Sequence, residues 1–67
     1  MTKHQAREHD AIDAAFATQL QLLFKTFCSN LAQQTPEDVA LHAFFRGLEM
    51  ARRAYELALG QIDLGHE

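Results

Sequence analysis

This chain of 67 residues has a net charge of −3, and 48% of its residues are hydrophobic, 22% are charged and one is a cysteine. The hydrophobic fraction is too high for a disordered segment, and a lone cysteine excludes an intramolecular disulfide. The acidic balance gives no general attraction to nucleic-acid phosphates. Because a core this small contributes little net stability, we expect association with another chain to supplement it.

The first half of the chain has the apolar periodicity of one long helix. Its apolar residues recur at steps of three and four, which places them on one face of a helix. They are Ile12, Phe16, Leu20, Leu23, Phe27 and Leu31. We predict the first helix over residues 6–33.

A break follows at Gln34-Thr35-Pro36. The Thr35 hydroxyl can cap a helix, and Pro36 suits the first helical position, where its missing N–H costs nothing. Glu37 and Asp38 would lie at the start of this helix, where the positive end of the helix dipole stabilises negative charge. We predict a turn at 34–35, a second helix over 36–61 and a loose tail over 62–67.

The second helix carries a heptad pattern and a strip of small residues. The heptad positions are Leu41, Leu48, Tyr55 and Ile62, and the strip consists of Ala40, Gly47, Ala51, Ala54 and Ala58. Because glycine within a helix costs about 1 kcal/mol relative to alanine, we expect Gly47 to contact a neighbouring helix or a partner; the alternative is an exposed glycine of no consequence.

These patterns predict an all-α domain over residues 1–67, in which two helices form an antiparallel hairpin. Its apolar stripes are wider than a single neighbouring helix can cover, which predicts dimerisation into a four-helix bundle. We predict a protein interface made of Phe16, Leu20, Phe24, Phe27, Phe44, Phe45, Gly47, Leu48, Ala51 and Tyr55.

Other chemistry has little support in the sequence. Three pairs of possible metal ligands have four-residue spacing, which places them on one helical face. These pairs are His4 with Glu8, His9 with Asp13, and Asp38 with His42, and they are equally typical of exposed helix ends. Cys28 lies beside the apolar stripe, where a thiol is normally inert. We therefore expect no catalytic site, no bound metal or cofactor, and no small-molecule substrate.

The longest strongly apolar run is Leu22-Leu23-Phe24, which is much shorter than a membrane-spanning helix. The first residues are polar and charged, unlike a secretory signal. We expect a cytoplasmic protein that makes no membrane contact.

In length and in several segments the chain resembles the Rop (repressor of primer) type of helical hairpin. The similar segments are Met1-Thr2-Lys3, Leu20-Gln21-Leu22-Leu23-Phe24-Lys25 and Leu41-His42. The resemblance implies a hairpin that dimerises into an antiparallel four-helix bundle and binds RNA through helix one. Lys3 and Lys25 stand at matching RNA-binding positions, whereas Asp10, Ala14 and Thr18 depart from the family pattern.

The sequence thus favours a small non-enzymatic regulatory or adaptor protein that acts through helix–helix contacts. Its partner is either a second copy of the chain or a larger protein. The alternatives are a Rop-like RNA-binding dimer and a metal-binding helical bundle.

Overall fold

The computed structural model describes residues 3–65, apart from the side chains of Lys3 and Gln5 and the exposure of Gly65. These residues form two helices, α1 at Lys3–Ala32 and α2 at Glu37–Gly65. The helices pack against each other as an antiparallel hairpin, which confirms the predicted all-α fold.

Helix α1 ends in a Schellman motif. The Thr35 N–H donates to the Asn30 carbonyl over 2.9 Å, and the Gln34 N–H donates to the Leu31 carbonyl over 3.0 Å. Gln34 has a φ of 66°, in the left-handed region that this motif requires and that glycine adopts most readily. The motif was not predicted because its usual marker, a glycine, is absent.

Replacing Gln34 with glycine is expected to raise the free energy of unfolding by roughly 0.5–1 kcal/mol, because glycine adopts a positive φ without steric cost. Urea denaturation measures this change. Gln33→Gly is the matched control: Gln33 has no positive φ, so that substitution should destabilise the hairpin. A loss of stability in Gln34→Gly would contradict this reading of the turn.

Helix α2 begins one residue later than predicted. The Ala40 N–H donates to the Pro36 carbonyl over 3.0 Å, so Pro36 rather than Thr35 occupies the capping position. Among the described residues, the Thr35 hydroxyl makes no hydrogen bond to the first turn. Glu37 and Asp38 still lie in the first turn, where the helix dipole favours their charge.

Helix α2 also continues past residue 61, its predicted end, to Gly65. Gly60 does not interrupt it, and Leu59 and Ile62 remain half-buried. In addition, His9 Nε2 of α1 lies 2.9 Å from Asp63 Oδ1 of α2. Tertiary contacts thus keep helical the residues that local sequence marks as a fraying end. Residues 66–67 of the predicted tail lie outside the described residues.

Paired side chains along one seam hold the two helices together. Phe16 stacks on Tyr55 with ring centroids 4.6 Å apart, and Phe27 contacts Phe44 at 5.2 Å. Between these pairs, Gly47 lies against the side chain of Leu23. The expected contact of Gly47 with a neighbouring helix is thus made within the hairpin.

The hairpin is long and thin. Its extents are 50 × 15 × 9 Å and its radius of gyration is 15.4 Å, whereas a compact chain of this length would have a radius of about 11 Å. Among the described residues only Ala40 is fully buried, at 1% exposure. A seam between two helices therefore leaves most apolar side chains partly in contact with solvent.

Candidate protein-interaction site

Nine large hydrophobic side chains of the described region are exposed, and they lie on both sides of the helix seam. They are Leu22, Phe24, Leu31, Val39, Leu41, Phe45, Met50, Leu57 and Leu64. Successive residues of a helix turn by about 100°, so these side chains divide into two sets on opposite broad sides of the hairpin. We call these sides the groove face and the ridge face.

The groove face is a shallow apolar channel between the helices. It consists of two adjoining cavities of about 540 and 130 Å³. Its outward-facing lining includes Ala15, Gln19, Leu22, Ala43, Met50 and Ala54. Gln19 lines both cavities and so lies where they join. Within the described region, no charged side chain lines either cavity.

The small-residue strip of α2 forms one wall of this channel. Gly47, Ala51, Ala54 and Ala58 all line the larger cavity, and Ala40 lines the smaller one. Because these side chains are short, the channel stays open along the middle of the hairpin. Met50 stands at its edge with 70% of its surface exposed.

The ridge face lies on the opposite side of the hairpin. Its exposed large apolar side chains are Phe24, Leu31, Leu41 and Phe45, all from the half of the hairpin nearest the turn. Phe24 and Phe45 protrude most, with 58% and 52% of their surfaces exposed. Lys25 borders this face, where it lines a shallow depression with Leu20 and Phe24.

Charge is distributed unevenly along the hairpin. The half nearest the turn, residues 18–53, holds four cations against three carboxylates, a net charge of +1. The half nearest the helix termini, residues 4–17 and 54–64, holds one arginine against five carboxylates, a net charge of −4. The two ends of the hairpin therefore differ in sign.

The structure separates the predicted interface residues into two groups. Most of them are half-buried in the seam within one chain: Phe16, Leu20, Phe27, Phe44, Gly47, Leu48, Ala51 and Tyr55. Phe24 and Phe45 instead project from the ridge face. Leu22 and Met50, which are exposed on the groove face, were not among the predicted interface residues.

A hydrogen bond between the helices fixes the side chain of Tyr55. Its hydroxyl donates to Asp13 Oδ1 over 2.5 Å. This hydrogen bond raises the pKa of the Tyr55 phenol above 10.0, and burial and the negative charge of Asp13 raise it further. Folding therefore favours the protonated phenol.

The raised pKa predicts a specific loss of stability in alkali. The contribution of Tyr55 is fully present below its unfolded pKa of about 10 and is lost as pH rises through the higher folded pKa. We expect the melting temperature to fall less in Tyr55→Phe than in the unaltered protein between about pH 8 and pH 11. Circular dichroism melts measure this, and an identical decline in both proteins would contradict it.

Two of the residues considered for metal binding are hydrogen-bonded to other side chains. His9 is bonded to Asp63 and Asp13 to Tyr55, and no group of three or more potential metal ligands occurs in the described part of the chain. Cys28 is exposed rather than buried.

Lys25, one of the two residues named for RNA binding, is exposed. The side chain of Lys3 lies outside the described residues. RNA binding therefore stays a prediction.

Comparisons with known proteins leave the architecture as the main guide to function. No protein-family model, curated protein or solved structure matches this chain. The two-helix hairpin is compatible with a Rop-like architecture. No helix in residues 3–65 has an apolar stretch long enough to cross a membrane.

Proposed function

We propose that this protein is a small non-enzymatic regulatory or adaptor protein that acts through helix–helix contacts as a homodimer. The observation that carries the proposal is its accessible surface of 5335 Å². A compact monomer of 7.6 kDa exposes about 4,300 Å². The hairpin exposes roughly 1,000 Å² more than that, and large apolar side chains occupy both of its broad faces.

The surface of two copies supports a dimer of substantial size. A compact protein of twice the mass exposes about 7,100 Å², so two hairpins reaching that value would bury roughly 3,500 Å² in total. Obligate homodimers bury about 2,000–5,000 Å². A second copy of the same hairpin is therefore large enough to cover the excess surface.

The character of the exposed faces favours packing against another helix over chemistry on a substrate. The groove face is open along the hairpin and is lined mainly by short or apolar side chains, and only amide and hydroxyl groups interrupt them. Small residues allow the backbone of a neighbouring helix to approach closely. A homodimer formed through one broad face would keep the other face available for a larger protein.

Sedimentation equilibrium of the full chain tests this proposal. We expect a dimer at micromolar concentrations and a melting temperature that rises with protein concentration, because association stabilises the folded state. Circular dichroism recorded on the same samples controls for unfolding. A well-folded monomer at tens of micromolar, with a melting temperature independent of concentration, would reject the proposal.

A further inference from the structure

We infer, on the basis of that proposed function, that the second copy docks on the groove face. The two hairpins are antiparallel, so that their turns lie at opposite ends of the dimer. In this arrangement Gln19 meets Gln19 of the second copy near a twofold axis. The ridge face, with Phe24 and Phe45, then stays on the outside of the dimer.

The lining of the groove face favours it over the ridge face as the dimer interface. Interface cores are depleted of charged residues, and neither cavity of the groove face has a charged lining residue within the described region. Lys25 borders the ridge face, and Arg52 lies next to that face on the side of the helix termini. Ala15 and Met50 point straight out of the groove face by helical geometry, so a second hairpin would cover both.

The orientation follows from the charge difference between the two halves of the hairpin. With parallel hairpins, the two termini-proximal halves, each of net charge −4, would lie side by side. With antiparallel hairpins, each of these halves lies beside a turn-proximal half of net charge +1. The antiparallel arrangement thus replaces repulsion between like charges with attraction.

Antiparallel packing places α1 of one copy along α1 of the other. Gln19 lies near the middle of α1, at the junction of the two cavities, and is exposed in the single hairpin. A side-chain amide has both donor and acceptor atoms, so two symmetry-related Gln19 side chains can each donate to the carbonyl oxygen of the other. A polar pair inside an apolar interface fixes register.

The choice of face is tested with two alanines of the same helix. Ala15 lies on the groove face, Ala17 lies on the opposite side, and both are exposed. Arginine at Ala15 would place an unpaired charge in the interface, so we expect Ala15→Arg to raise the dimer dissociation constant at least about 100-fold. We expect Ala17→Arg to change it less than about threefold. Sedimentation measures both, and the reverse pattern would overturn the assignment.

The register is tested by disulfide cross-linking in a Cys28→Ser background. We expect Gln19→Cys to form a covalent dimer readily when oxidised with diamide, whereas Gln21→Cys, two residues along the same helix, should not. The cross-linking variants do not carry Ala15→Arg, so this test remains informative even if the Ala15→Arg protein fails to fold. A dimer in which Gln21→Cys cross-links and Gln19→Cys does not would overturn the inference.

The orientation is tested with a spin label at Gln33→Cys in the same background. In antiparallel hairpins the two labels should lie roughly 40 Å apart, because each is about 14 residues from the axis near Gln19, at 1.5 Å per residue. In parallel hairpins they would lie within about 20 Å of each other. The shorter distance would overturn the orientation.

These outcomes separate the inference from the proposed function. A dimer that fails the alanine, cross-linking or distance test overturns the assigned face, register or orientation and leaves the homodimer intact. A folded monomer in sedimentation rejects both.

Discussion

Replacing Phe44 with alanine is expected to lower the free energy of unfolding by about 2–4 kcal/mol, the largest effect of any single truncation in the seam. Phe44 is half-buried and contacts Phe27 across the helices, with ring centroids 5.2 Å apart. Its removal loses both the buried area and the contact between the rings. Since only Ala40 is fully buried among the described residues, few other contacts can compensate.

Phe45→Ala is the matched control for this prediction. Phe45 neighbours Phe44 in sequence, but it projects from the ridge face with 52% of its surface exposed. We expect its truncation to cost less than about 1 kcal/mol. Urea denaturation of both variants at one protein concentration measures the difference, because association contributes to the apparent stability. Equal losses would show that Phe45 is covered in solution.

Alanine is expected to have unequal effects on stability at the two glycines of α2. A Cβ at Gly60 would have no heavy atom within 4 Å, so Gly60→Ala should raise the free energy of unfolding by about 0.5–1 kcal/mol. A Cβ at Gly47 would overlap Leu23 Cδ2 of the facing helix. Because Leu23 Cδ2 is the far end of a flexible side chain that must shift, Gly47→Ala should stabilise the protein less than Gly60→Ala does, despite the same gain in helix propensity.

A double-mutant cycle identifies Leu23 as the obstacle. In a Leu23→Ala background the added Cβ has room, so Gly47→Ala should become as stabilising as Gly60→Ala is in the unaltered protein. A coupling energy of about 0.5 kcal/mol or more between positions 23 and 47 is therefore expected. If Gly47→Ala stabilises the protein as much as Gly60→Ala does, the close approach at this point of the seam is absent.

The local pattern of the sequence predicted the helices better than it predicted their ends. Apolar spacing located both helices because burial of one face requires that periodicity. The Schellman motif was not predicted because Gln34 occupies the position where a glycine usually marks it. The extension of α2 to Gly65 depends on contacts with α1, including the bond between His9 and Asp63.

The candidate site was only partly predictable for a related reason. Helical spacing of apolar residues marked the stripe, but Phe16 and Phe44 contact aromatic rings of the facing helix within the hairpin. Phe24 and Phe45 were placed among the same residues and instead project outward. Periodicity shows that a residue lies near an apolar face, while the neighbour that covers it depends on how the second helix packs.

The sequence by itself determined an all-α antiparallel hairpin that turns at Gln34-Thr35-Pro36. It also determined that the hairpin carries more apolar surface than one helix–helix seam can bury. Those properties depend on helical periodicity and composition, which are local. The tertiary structure alone decided which side chains pair across the seam. It also showed that the small residues of α2 open a groove on one face and that Gln19 lies at its centre. These features arise because the register between two helices fixes which residues meet, and that register is not encoded in either helix alone.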